Sequence, residues 1–296
     1  MKKVVRMLGL CALVALAFTS CKKNETNGNV TFKAIINQPT NNTRTHIESI
    51  NSFGGKGLFW DANNQINVFN KVTDENQLFT VEASKIAGQE ASFVGSADFL
   101  ATITTAGDYI AFYPNATKNA DDKVVMQIPD AQDFDFSWGS FDNDLYPMYG
   151  FNNDAAEIEF ESHAGVLALQ FKLNSNVYGA NAEIPVTSIV VESSDSNEVL
   201  AGTMLYNLDG SYTMDPATIN HIVTLNCIGT SVVSNRWTDF YIVLPENALT
   251  AAYTVTINSG NGTSITINAR AHDDGGQKIE AETVVYMPQY EIRSGL

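Results

Sequence analysis

The sequence predicts an all-β protein of two β-sandwich domains behind an export signal. Three observations carry this. Short segments rich in Val, Ile, Thr and aromatics alternate apolar and polar residues with a period of two, and Asn, Asp and Gly separate them. No long stretch sustains a helical period. A chain of 296 residues suits two sandwiches better than one barrel.

The first element is an address. Lys2, Lys3 and Arg6 form a basic start, and residues 4–18 form an apolar run containing no acid. The run is short for a membrane span and has the flanks of a secretory signal, so residues 1–20 read as a signal peptide. It ends at Phe18-Thr-Ser-Cys21, which is similar to a bacterial lipobox, where small residues precede a lipidated Cys. An acylated Cys21 would tie the chain to a membrane, each buried methylene contributing about 0.8 kcal/mol. Residues 21–29 are rich in Lys, Asn, Thr and Gly and read as a tether.

Strands follow. The first is 30–36 (VTFKAII), then 65–69 (QINVF), 77–82 (QLFTVE), 108–113 (DYIAFY), 157–161 (EIEFE) and 166–173 (VLALQFKL). Beyond them come 188–192 (SIVVE), 240–244 (FYIVL), 252–258 (AYTVTIN) and 283–292 (TVVYMPQYEI). Residues 208–211 (LDGS) and 259–263 (SGNGT) are hairpin signals. Residues 174–181 are polar and turn-rich, which divides the chain into an N-terminal sandwich, 30–174, and a C-terminal one, 175–296.

Composition excludes several classes. With 44% hydrophobic and 17% charged residues the chain is neither disordered nor coiled-coil. A mean hydropathy of -0.08 excludes a multi-span membrane protein. The net charge is -16, and losing residues 1–20 removes three bases and no acid, taking it to -19. Such a surface does not bind nucleic acid, and the lipid, not electrostatics, would hold it at a membrane. Cys11 leaves with the signal and Cys21 is acylated. Cys227 then stands alone as a buried small apolar residue, so no intramolecular disulfide forms.

The sequence offers no catalytic constellation and no cofactor. His46, His163, His221 and His272 show no HxH or HExxH spacing. No GxSxG elbow or phosphate loop is present. Residues 133–144 place oxygen ligands at calcium-loop positions 1, 3, 5 and 12, Asp133 to Asp144, but Gly139 falls one place late. Phe134, Phe136 and Trp138 alternate there as in a half-buried strand, so weak calcium binding is the lesser reading. Trp60, Trp138 and Trp237 could stack on sugars or fill a core.

Several segments together resemble the fimbrillin family, the subunits of type V pili. They are the lipobox at Cys21, the strand 30–36 followed by Thr43-Arg-Thr45, and 58–69 (LFWDANNQINVF). Tyr146-Pro-Met-Tyr149, 158–167 (IEFESHAGVL) and Val243-Leu-Pro245 complete the set. The resemblance implies two tandem transthyretin-like β-sandwiches in a non-enzymatic lipoprotein precursor, carried to the outer membrane surface. It also implies cleavage after a basic residue, here between Arg44 and Thr45, releasing the lipid and the first strand. A strand of another subunit then fills the groove and the chain joins a fimbria serving adhesion. The donor expected here is the C-terminal segment, with Val284, Tyr286, Pro288, Tyr290 and Ile292 on one face. The alternative is a surface lipoprotein that stays uncleaved and binds a host glycan or protein, including an anchor or tip subunit of the same pilus.

Overall fold

A computed structural model describes residues 29–36, 47–49, 56–87, 89–96, 99, 107–136, 139–154 and 157–296. The expected signal, tether, Cys21, Arg44 and Thr45 lie outside the described residues, apart from Asn29 at the tether's end. The described chain is mostly strand, with one four-residue α-helix at Ser175–Tyr178.

The strands, in order, are β1 (Asn29–Ile36), β2 (Ile47–Ser49), β3 (Lys56–Leu58), β4 (Gln65–Asn70), β5 (Asn76–Ala87), β6 (Glu90–Ser96), β7 (Tyr109–Tyr113) and β8 (Thr117–Lys118). There follow β9 (Val124–Ile128), β10 (Ala131–Asp135), β11 (Ser140–Phe141), β12 (Met148–Asp154), β13 (Glu157–Glu161), β14 (Ala164–Leu173), β15 (Glu183–Ser193) and β16 (Gly202–Tyr206). The last are β17 (Tyr212–Met214), β18 (Ile222–Val233), β19 (Thr238–Pro245), β20 (Tyr253–Ser259), β21 (Ser264–Ala269), β22 (Val284–Tyr286) and β23 (Tyr290–Ile292). Both hairpin signals are turns: Asn207 N–H donates to Ser211 O between β16 and β17, and Ser259 N–H to Thr263 O between β20 and β21.

Where the sequence suggests a first sandwich, the pairing path is a closed barrel, β1-β13-β12-β7-β4-β5-β6. It closes because β1 pairs on both sides, antiparallel to β6 and parallel to β13. Closure leaves no free edge in that path. A second group forms a six-stranded sheet, β11-β10-β18-β15-β20-β21, and a third forms β19-β14-β22, with β23 also on β14. Pairing runs across residue 174: β9 pairs β16, β10 pairs β18, and β14 pairs β19, β22 and β23.

The β14–β19 pair is the layer between two cores. Val166, Ala168, Tyr241 and Val243 belong to the core that fills the barrel. Their neighbours Leu167, Leu169, Phe171, Phe240, Ile242 and Leu244 belong to the core under the six-stranded sheet. Burial on both faces explains why these strands read as nearly unbroken apolar runs. The free edge of β19 is closed by a side chain. The buried Gln132 amide donates to Val243 O at 2.7 Å and accepts from Val243 N–H at 2.9 Å, standing in for a strand.

Candidate functional site

The candidate site is the seat of β1. Side chains alternate along a strand, so Phe32, Ala34 and Ile36 point one way, and all three are buried in the barrel core. Phe32 packs tilted against Phe79, centroids 5.1 Å apart, and edge-on to Tyr109 at 5.6 Å. Burial raises the Tyr109 hydroxyl above the ordinary tyrosine range, with the Asp108 charge adding to it. Gly95, opposite Val30, makes room for the Phe79 ring, since a Cβ there would stand 2.2 Å from it. On the outer face Lys33 reaches Glu90 at 3.1 Å and Glu157 at 3.6 Å, one carboxylate from each flanking strand. The hydrogen bond to Glu90 is the largest contribution holding its ammonium above the ordinary range.

The backbone phase of the seat is fixed by one bond. Ile36 N–H donates to Gln89 O. Antiparallel pairing alternates, so the inward residues 32, 34 and 36 send their N–H groups to the β6 side, and residues 33 and 35 send theirs to β13. Deeper in the barrel, Trp60 stacks edge-on to Phe93, Tyr113 and Phe160 at 5.0–5.3 Å. Phe93 is opposite Phe32 and Phe160 is opposite Ile36, so the indole supports the floor of the seat.

The C-terminal segment lies on β14 as two short parallel strands, not one. Val166 is opposite Val284 and Phe171 opposite Tyr290, so five steps along β14 match six along the segment. The extra residue falls at Met287–Gln289 and flips the face beyond it. Val284 accordingly packs against the barrel core, while Met287 and Ile292 enter the other core. Tyr286 and Tyr290 are 40% and 36% exposed, and Pro288 is exposed between them. In this placement the five expected donor residues do not share one face.

The suspected calcium segment holds its acids apart. Asp133 Oδ1 accepts from Asn226 Nδ2 at 2.8 Å, and Asp144 Oδ1 accepts from the Tyr113 hydroxyl at 3.3 Å. Phe134 pairs with Phe141 in a hairpin, and Phe136 in its turn is 67% exposed rather than sharing Phe134's buried face. Cys227 is fully buried, its Sγ 3.4 Å from Leu225 O, and burial pushes its thiol up to about 12.

A cluster that sequence periodicity did not single out joins the barrel to the layers behind it. The His163 ring stacks on Tyr149 at 5.0 Å and lies 4.4 Å from Tyr212, and its Nδ1 is 3.0 Å from Glu246 Oε1. Tyr212 donates to the same oxygen at 3.2 Å, and Tyr149 donates to Glu161 Oε2 at 3.2 Å. Gly210 in the β16–β17 turn seats against Tyr149 and Phe151, where a Cβ would come within 3.0 Å of both rings. The signal in the sequence was Tyr146-Pro-Met-Tyr149 followed by His163, both within segments that carry the fimbrillin resemblance.

The sequence matches no protein-family model and no curated protein. The fold does have solved counterparts. A crystal structure from Bacteroides uniformis ATCC 8492 is 14% identical with a TM-score of 0.50, covering 90% of this chain and 95% of that one. Another, from Bacteroides ovatus ATCC 8483, is 12% identical with a TM-score of 0.53, covering 90% and 93%. Each is described as a "putative cell adhesion protein". The chain thus shares the fold of these two proteins over 90% of its length.

Proposed function

We propose that this chain is a structural subunit of a type V pilus, exported as a lipoprotein precursor held by Cys21 at the outer membrane surface. It assembles with other subunits after cleavage between Arg44 and Thr45 removes the first strand. One observation carries the proposal: β1, which precedes Arg44 in the sequence, bridges β6 and β13 in the closed barrel, so its removal opens a groove with two walls. The cell-adhesion descriptions of the two Bacteroides structures support a place in adhesion.

The energetics fit an exchange. Burying a Phe and an Ile contributes about 1.5–3 kcal/mol each and Ala34 about 0.8 kcal/mol, so refilling the inner face is worth roughly 4–7 kcal/mol. Unpaired backbone along β6 and β13 adds to the drive. A C-terminal donor must first leave β14 and lose its extra-residue kink, bringing Val284, Tyr286, Pro288, Tyr290 and Ile292 onto one face. Pro288 would then face inward and forgo one bond to β6, since inward N–H groups point there.

The test reads the amino terminus of the surface-exposed form. A start at Thr45, lost in Arg44→Ala together with polymer formation, supports the proposal. A start at Cys21 in all surface protein sinks it and leaves the uncleaved lipoprotein. Fatty-acid labelling that disappears in Cys21→Ala checks the anchor.

A further inference from the structure

A cavity of about 510 Å³ opens between the edge of the six-stranded sheet and the C-terminal segment. That size is within the roughly 300–1,000 Å³ of small-molecule sites. Tyr253, Met287, Pro288 and Tyr290 give it an apolar, partly aromatic lining. Gln277 and Gln289 add side-chain amides, each able to donate and accept. Arg270 is the only charged residue in the lining.

The charge pattern narrows the ligand. The chain carries 33 acids against 17 bases, yet no carboxylate lines this cavity. Arg270 makes no ion pair or hydrogen bond among the described residues, and neither does the Tyr253 hydroxyl, whose residue is 5% exposed. An unpaired guanidinium is a planar fork that matches a carboxylate with two parallel hydrogen bonds. Amides beside it suit hydroxyl groups, and a tyrosine ring over an apolar floor suits the C–H face of a pyranose. Cations are disfavoured, because the site offers no anionic oxygen.

We propose that this cavity binds a carboxylated sugar, with Arg270 on the carboxylate, Gln277 on hydroxyls, and Tyr290 against the ring face. Met287, Pro288 and Tyr290 belong to the segment lying on β14, so the site exists while that segment stays in place. Binding therefore needs no cleavage and is lost from any chain whose C-terminal segment has left β14 as a donor strand.

The experiment uses the uncut chain and ligand-observed NMR. The probes are the methyl glycosides of glucuronate and N-acetylneuraminate, with methyl galactoside as the neutral arm and acetyl-Ala-Ala-Ala as a free-carboxylate peptide. At least one acidic sugar should bind saturably, at least tenfold more tightly than the neutral sugar and the peptide. Arg270→Gln and Tyr290→Ala should each weaken that binding tenfold or more with an unchanged melting temperature, both side chains being on the surface. Absence of saturable binding by both acidic sugars, equal binding of galactoside, tighter binding of the peptide, or binding indifferent to both substitutions would each overturn the proposal.

Discussion

Replacing Phe32 by Ala tests how strongly the first strand is held. Phe32 has no exposed surface and makes two aromatic contacts, with Phe79 at 5.1 Å and Tyr109 at 5.6 Å. A buried Phe→Ala change costs about 3–5 kcal/mol, the larger figure applying where the walls cannot collapse. Strands β5, β6 and β7 flank this site within a closed barrel, which limits relaxation, and aromatic pairs contribute about 0.5–1.5 kcal/mol each. The expected loss is therefore about 4–5 kcal/mol. Urea denaturation followed by tryptophan fluorescence measures it, because Trp60 reports on the floor of the seat. With a slope of about 2 kcal/mol per M the midpoint should fall by roughly 2 M at unchanged slope. Amide exchange should quicken in β6 and β13 before it does in β15 and β20, which pair elsewhere. A loss under about 1 kcal/mol, or uniform exchange across both groups, would refute the idea that Phe32 anchors β1.

Three further outcomes follow from the geometry. Gln132→Ala leaves both Val243 backbone groups without their partner, at about 1–3 kcal/mol each, so unfolding free energy should fall by roughly 2–6 kcal/mol; an unchanged urea midpoint contradicts this. Burial is the largest cause holding the Glu282 carboxyl above its ordinary 4.5. Its ionisation therefore opposes folding, a penalty that starts as pH rises through the ordinary value and is complete above the raised one. Glu282→Gln keeps an oxygen for Ser162 N–H and should melt higher than wild type at pH 7, with the difference gone below about pH 4. A lower melting temperature at pH 7 would show the sign to be wrong. Cys227 should resist thiol reagents at pH 8 in the folded protein and react fully in urea, since its thiol is buried and raised to about 12; fast labelling of the native state would contradict that placement.

The strand content was legible because alternation survives wherever one face meets a core and the other meets water. Residues 157–161 and 252–258 show this, and β13 and β20 occupy almost those spans. Barrel closure was not legible. It depends on β1 finding β13, more than a hundred residues away, and no local pattern encodes that pairing. The double-faced layer was half visible: 240–244 read as a strand, but an unbroken apolar run does not say that two different cores lie on its faces. The single continuous strand expected at the C-terminal segment is two strands for a specific reason. Period-two arithmetic assumes one residue per step on both strands, and the extra residue near Pro288 breaks it. The apolar floor at Phe32, Ala34 and Ile36 was readable from 30–36, whereas the His163–Glu246 contact joins residues from separate strands and appears only in space.

The central claim is that β1 is a replaceable strand. It is tested most directly on a chain beginning at Thr45, with a synthetic peptide spanning residues 29–36 supplied in solution. The shortened chain should self-associate into polymers resolved by light scattering. The peptide should bind at one site per chain, raise the melting temperature and hold the protein monomeric, while a Phe32→Asp peptide does neither. A shortened chain that stays monomeric, melts with the intact protein and ignores the peptide would contradict it.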